Sequence, residues 1–536
     1  MAAASSTRAG IPCRNFYSRK GGPMKDVLER VAPGDDVSDF SDLSESHEEE
    51  WTAPSPGAPD HSSEDEEADD FCGGFAVASS SPPERNWEKA LLEIGHPEFS
   101  GTFSEPNDLE TPIVIFRRLL TDDMLAILVD QTNLYSTKKY GKFVNTSVPE
   151  VEQYIGMYLK MGLVQMPNVR CYWEQGSRHS PIADTMPRNR FLKLMECLHV
   201  VDNMQVPEQE KKDKVWKLRP WIVALQRNLE QIEQEEYNAV DKMMVPFMGR
   251  STLKQYMPNK PVPWGFKLWG RAGATGILYQ FDVYQGKGDG NYTFGLGGDT
   301  VLNMCSKLPS DEGFKVAADN FFSSLELVEE LSGRGIQYVG TLRQNRLKDC
   351  CLLSEKNLKP LVQGACDHRV DNCTGISVVR WFDRKAVTLV SNFVSLEPVE
   401  KVKRYDRKAK VHVDVPGPAI VAVYNSFMSG IDQHNYQVAL YNYNIRSRRW
   451  YMYIFYHTLY ICAEQSSKVL RSADVDVAIE ASCAGKRRRA RQVCRVYRFT
   501  HPLSRSRHRV QQTLSATTPH SPTFTKASVE VGHTVV

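Results

Sequence analysis

The sequence predicts an α/β fold, preceded by a helical segment and closed by a long apolar helix. Three observations carry this. From about Asn86 to Asn238, apolar residues recur at three- and four-residue spacing, as in "TPIVIFRRLLTDDMLAILVDQTNLYSTKK" and "VEQYIGMYLKMGLVQM". From "YNAVDKMMVPF" onward, Gly and Pro punctuate β-rich runs, and the order becomes strands, helix, strand, helix, strand. After "VPGPAIVAVYNSFMSG" the run "QVALYNYNIRSRRWYMYIFYHTLYICA" reads as one long helix beginning near Asp432.

Taken in order, residues 1–85 are rich in Ser, Pro, Asp and Glu and cannot bury enough apolar surface to offset chain entropy. They are expected to be a disordered acidic segment. Residues 86–235 form the helical segment. Residues 236–346 supply the first part of the α/β core: a strand pair ending in "ILYQFDVYQ", a helix at "DTVLNMCSKL", a strand at "FKVAADN", a helix at "SSLELVEELSGRG" and a strand at "IQYVGTLRQNR". Residues 347–414 interrupt the pattern with a hairpin-like "ISVVRWFDRKAVTLVSN" and read as an insertion domain. Residues 415–441 return to the core, 442–482 continue as helix, and 483–536 form a basic disordered tail.

The net charge of +1 conceals a division. Residues 35–70 hold fifteen Asp/Glu and no Lys/Arg, so setting them aside leaves +16 on the rest of the chain. A body this basic calls for an anionic partner, with nucleic acid first. "KRRRAR" at Lys486–Arg491 suits nuclear localisation or a DNA backbone, and the acidic block suits a solvated tail or a partner-binding segment. The N-terminus lacks the apolar stretch of a signal peptide, and no apolar run reaches the roughly 20 residues of a membrane span. The twelve cysteines show no paired framework, which fits a reducing compartment.

Three acids stand where a core would not place them. Asp241 lies inside "AVDKMMVPF", Asp319 ends the strand "FKVAAD", and Asp432 begins the last helix. Each has a local account: a solvent-facing edge strand for Asp241, helix caps for Asp319 and Asp432. Together they are distributed as the RNase H-like fold distributes its metal-binding acids. Hard ions such as Mg²⁺ or Mn²⁺ take carboxylate oxygens, and a pair of them supports in-line phosphoryl displacement.

The blocks "VDKMMVPFMGRSTLKQYMPNKPVPWGFK", "AADNFFSSLELVEEL", "GTLRQNR" and "YNSFMSGIDQHN…IRSRRW" resemble the signature blocks of piggyBac-type DNA transposases and the host proteins derived from them. The resemblance runs from about Pro97 to Ser472 in the same block order. It implies an RNase H-like catalytic core interrupted by an insertion domain and flanked by helical dimerisation and DNA-binding segments. It also implies Asp241, Asp319 and Asp432 as catalytic metal ligands. The implied activity is Mg²⁺-dependent nicking, hairpin formation and strand transfer on double-stranded DNA, by a nuclear homodimer. The chain departs from the family at three places. Lys242 stands where an acid often follows the first aspartate, and Asn435 stands where a second aspartate usually lies one helical turn after the third. The tail offers only Cys483 and Cys494 with His501 and His508, in place of a cysteine-rich zinc module. A domesticated protein that binds DNA or chromatin without catalysis is therefore the alternative expectation.

Lys254, Tyr256, Lys260 and Lys267 interleave basic and aromatic residues beside the first acid, as a DNA groove requires; Arg343 and Arg346 follow "GTL". Arg446, Arg448, Arg449 and Trp450 lie about four turns along the last helix and suit phosphate contact and stacking. Cys350, Cys351, Cys366, His368 and Cys373 read as free thiols and a lone histidine or, less well, as a metal site. "GKGDGNYTFGLGG" lacks the spacing of a phosphate-binding loop and reads as a flexible loop.

Overall fold

The computed structural model describes residues 85–483 except 91, 93–97, 102–110, 259, 261, 287–291, 362 and 407–409. The expected acidic segment and the basic tail with its Lys486–Arg491 patch lie outside the described residues.

Six helices open the described chain after a two-residue strand β1 (Trp87–Glu88): α1 (Pro112–Leu119), α2 (Asp122–Tyr140), α3 (Val148–Leu163), α4 (Ser180–Ala183), α5 (Arg188–Cys197) and α6 (Arg219–Leu229). Their boundaries follow the local chemistry. Thr121 accepts the Met124 N–H to cap α2, Gly141 closes it at φ 62°, and Pro at the first turn starts α1, α3, α4 and α6.

The sheet begins with β2 (Tyr237–Pro246), β3 (Lys254–Tyr256), β4 (Trp264–Gly273) and β5 (Leu278–Val283). Then come α7 (Gly295–Met304), β6 (Lys315–Ala318), α8 (Leu325–Gly333) and β7 (Gln337–Thr341). β2 lies inside the sheet, antiparallel to β4 and parallel to β6, and β6 is parallel to β7. Asp241 is therefore on a central strand, not an edge. Ser324 caps α8 by accepting the Leu327 N–H, so the helix cap expected of Asp319 belongs to Ser324.

After α9 (Glu355–Leu358), residues 347–414 carry β8 (Cys366–Asp371), β9 (Ile376–Phe382), β10 (Ala386–Ser391), β11 (Glu400–Asp406) and β12 (Val411–Gly417). β10 pairs with β7, so β8–β10 extend the main sheet, while β11 and β12 form a separate ribbon.

The chain closes with α10 (Ala419–Phe427), α11 (Gly430–Leu440) and α12 (Tyr451–Cys483). The single long helix expected from Asp432 onward is two helices. Between them Tyr443 and Ile445 are buried in non-helical backbone, and the Tyr443 N–H donates to the Tyr460 hydroxyl at 3.0 Å. These apolar residues mimic a helical run because they enter the same core. That core joins distant parts of the chain: the Tyr154 and Tyr456 hydroxyls are 2.7 Å apart, and Trp221 Nε1 donates to Thr458 at 2.9 Å.

Glycine seats α11 on the sheet. A Cβ on Gly430 would stand 2.3 Å from the Gly273 carbonyl oxygen, which is backbone and cannot move aside. Gly276, at φ 84°, turns the chain beneath the same helix, with the Gly430 carbonyl and His434 N–H beside it. Gly430→Ala is expected to destabilise the protein by about 1–3 kcal/mol through overpacking, read as a lowered melting temperature. A wild-type melt would show that α11 does not depend on this close approach.

Candidate functional site: an aspartate cluster at the strand ends

Parallel pairing of β2 with β6 runs Tyr237↔Lys315 to Val240↔Ala318. Asp241 and Asp319 each follow the last paired residue of their strand, so both stand at the same end of this pairing. Opposite Asp241 on β4 is Gly270, whose missing side chain leaves space filled by Met243 and Ile431. Asp319 leaves its strand in a tight turn. Its Oδ1 accepts the Phe321 N–H at 2.9 Å, and its carbonyl accepts the Ser323 hydroxyl at 3.0 Å. Asp432 lies in the exposed first turn of α11, where the helix dipole favours an acid.

Electrostatics link Asp241 to Asp319, and all three acids to Tyr424. Burial and then the Asp319 charge push the Asp241 carboxyl up to about 6, against weaker opposing pulls from Lys260, the Lys242 N–H and the Lys242 ammonium. Tyr424, on α10, feels all three acids. Burial pushes its hydroxyl up, a hydrogen bond with Thr341 opposes this, and the charges of Asp319, Asp241 and Asp432 add to the rise. Sequence reasoning missed Tyr424. The signal was available: a hydroxyl inside the apolar run "AIVAVY" needs polar surroundings.

Two ammonium groups approach the cluster. Lys242 Nζ is 3.8 Å from Asp319 Oδ2, and Lys260 Nζ is 4.0 Å from Asp241 Oδ2. Among the described residues no three His, Cys, Asp or Glu side chains are gathered closely enough to hold a metal ion as they stand. The donor chemistry nevertheless suits a hard divalent cation: carboxylate oxygens only, with burial and then the Asp319 charge raising the proton affinity of Asp241. The Asn435 amide does not extend the donor set; its Nδ2 lies 3.5 Å from the Lys242 carbonyl oxygen.

The basic residues divide by what they touch. Lys254 is half-buried with its ammonium 4.8 Å from the Trp264 ring centre, and Tyr256 is exposed beside the same ring. Arg343 is half-buried after β7, and Arg446 and Arg448 are exposed between α11 and α12. Four expected DNA contacts have internal roles instead. Lys267 is 2% exposed, its ammonium packed over Trp269, Tyr284 and Phe321. Arg346 donates to the carbonyls of Asn320, Phe321 and Ser323 at 3.2, 3.1 and 2.8 Å, fixing the turn that carries Asp319. Arg449 donates to the Leu198 carbonyl at 2.7 Å and to that of Met195, and Trp450 packs half-buried against Phe266. "RSRRW" is thus a connecting segment with only two arginines facing solvent. Cys350, Cys351, Cys366 and Cys373 are free thiols. No helix among the described residues is long and apolar enough to cross a membrane.

Residues 111–463 match the family described as Transposase IS4. The human PiggyBac transposable element-derived protein 3 is 31% identical over 412 residues, covering 73% of this chain and 68% of that one. The human PiggyBac transposable element-derived protein 2 is 30% identical over 388 residues, covering 69% and 64%. Among solved structures, a piggyBac transposase in a synaptic complex with hairpin DNA shares the fold at a TM-score of 0.59 and 18% identity, covering 74% of this chain and 79% of that one. A family match across most of the chain, together with relatives at this identity, places the protein: it belongs to the piggyBac-type members of the Transposase IS4 family.

Proposed function

We propose that the protein is a DNA strand-cleaving and strand-transferring enzyme whose RNase H-like core holds a divalent metal ion, Mg²⁺ or Mn²⁺, on Asp241, Asp319 and Asp432. The observation that carries this is that the charges of all three aspartates act on one hydroxyl, Tyr424, with Asp241 and Asp319 each next after the last paired residues of β2 and β6. The strand order β5-β4-β2-β6-β7, antiparallel on one side of β2 and parallel on the other, supports the RNase H-like reading. So does the return of α10 and α11 to the core after residues 347–414.

Bound divalent metal would supply activation of the attacking oxygen and stabilisation of the leaving one. The chain's own residues do the rest. Arg346 holds the Asp319 turn rigid through three carbonyls. Tyr424 hydrogen-bonds with Thr341 within the field of the three carboxylates and remains neutral at physiological pH. Lys254, Tyr256, Arg343, Arg446 and Arg448 position the phosphate backbone. The solved relative's hairpin DNA makes double-stranded DNA ends the first substrate to test. A homodimer, a nuclear location and a partner for the acidic segment complete the reading.

A second reading, DNA binding without cleavage, is favoured by one feature: Asn435 stands where a further acid would strengthen the cluster, and its amide faces the Lys242 carbonyl.

An Mg²⁺- or Mn²⁺-dependent nicking and strand-transfer assay separates the two. Cleavage by wild type that falls at least about a hundredfold in Asp319→Ala supports the enzyme. Equal product from both proteins would sink it. Salt-sensitive DNA binding that survives loss of all three aspartates, with no cleavage by wild type, selects the second reading.

Divalent binding also has a predictable pH dependence. The ion requires ionised Asp241, whose carboxyl titrates near 6. Mn²⁺ affinity should rise with pH up to about 6 and level off above it; a profile flat from pH 5 to 7 would remove Asp241 from the ligand set. The same shift acts oppositely on stability. The folded-state value lies above the unfolded one, so this group's penalty is absent below about 4 and complete above about 6. Asp241→Asn should therefore melt no lower than wild type at pH 7.5 while losing Mn²⁺. A clearly lower melt would mean that the carboxylate is structural.

A further inference from the structure

The aspartate cluster has a cation built into the fold. Lys242 follows Asp241 in β2, so its side chain starts on the opposite face of the sheet. There it is 6% exposed, and its ammonium lies 4.5 Å from the Phe321 ring centre and 5.9 Å from that of Phe322. Trp269, its cross-strand partner, stacks on Phe321 with ring centres 5.5 Å apart. This aromatic wall carries the ammonium around the end of the strand to within 3.8 Å of Asp319 Oδ2. The other Asp319 oxygen is taken by the Phe321 N–H. Cation–π attraction to the two rings and the Asp319 carboxylate both oppose withdrawal of the ammonium into solvent.

We infer that Lys242 is a resident counter-cation of the cluster that weakens its affinity for a divalent ion at Asp319. The inference rests on the metal-binding reading of Asp241, Asp319 and Asp432. A divalent ion on Asp319 would stand within a few ångströms of a fixed positive charge. At the effective dielectric of a partly buried site, that repulsion is worth at least about tenfold in affinity. Lys260 differs in kind: its side chain is 28% exposed against 7% for Lys242, and no aromatic contact holds its ammonium among the described residues. It can turn toward solvent or phosphate when an ion arrives.

Lys242→Met keeps the length and the packing against the rings while removing the charge. Lys242→Gln serves as a second neutral variant, and Lys242→Arg keeps the charge. The measurement is Mn²⁺ binding to the full chain by electron paramagnetic resonance, with circular dichroism verifying the fold. The expected result is that the two neutral variants bind Mn²⁺ about tenfold or more tighter than wild type, that Lys242→Arg stays near wild type, and that adding Asp319→Asn abolishes the gain. Wild-type affinity in folded Lys242→Met and Lys242→Gln overturns the inference and leaves the metal site standing if Asp241→Asn still abolishes binding. A gain that survives Asp319→Asn also overturns it. Absence of Mn²⁺ binding in wild type and in both neutral variants overturns the inference and the metal reading together.

Discussion

Everything at the site depends on the parallel pairing of β2 with β6. Once Val240 is in register with Ala318, the residue that follows each at this end of the pairing is an aspartate, and the Asp319 charge acts on Asp241. Two carboxylates brought this close are an electrostatic liability in any fold that lacks a use for them. The surroundings read as responses to that liability. The Phe321 N–H and the Lys242 ammonium meet Asp319, the Lys260 ammonium meets Asp241, and the Tyr424 hydroxyl feels both charges.

Holding Asp432 there is a packing problem rather than an electrostatic one. α11 contributes Gly430, Ile431, His434 and Val438 to the interior and leaves Asp432 exposed in its first turn. Its close approach depends on Gly430, and its far end leads into Tyr443 and Ile445, which enter the core shared by α3, α6 and α12. Helices at the two ends of the described chain therefore form one body. That body fixes the third aspartate, even though the residues involved are some 300 positions apart in sequence.

How much of this was legible follows from the range of each interaction. The strands and helices around Asp241 and Asp319 were readable because alternation and capping are local. The register between β2 and β6 was not, because nothing in either strand alone names its partner. The break between α11 and α12 was hidden because burial of Tyr443 and Ile445 imitates helical periodicity. The strands of residues 366–391 read as part of an insertion, yet they extend the main sheet, because strand pairing ignores sequence order. Lys267, Arg346 and Arg449 were misread for one shared reason. A basic residue suggests surface and phosphate, but an aromatic wall or a set of carbonyl oxygens can satisfy a cation equally well inside the fold.

Charge balance is what separates the chemistries open to the cluster. Three ionised carboxylates with two ammoniums close by carry one net negative charge. One divalent ion would bring that to one net positive charge, which a single DNA phosphate neutralises. Two ions would leave three positive charges, requiring several phosphates or the departure of a lysine. Of the two lysines, Lys260 is the one able to leave, since Lys242 is walled in by Phe321 and Phe322. On the proposed metal-binding reading, the arrival of ion and of DNA would be coupled: phosphate would draw Lys260 away from Asp241, and the carboxylate so uncovered would gain affinity for the ion. A protein that only binds DNA has no need of this coupling. A dependence of metal affinity on bound DNA would therefore separate the proposed enzyme from a protein that only binds DNA.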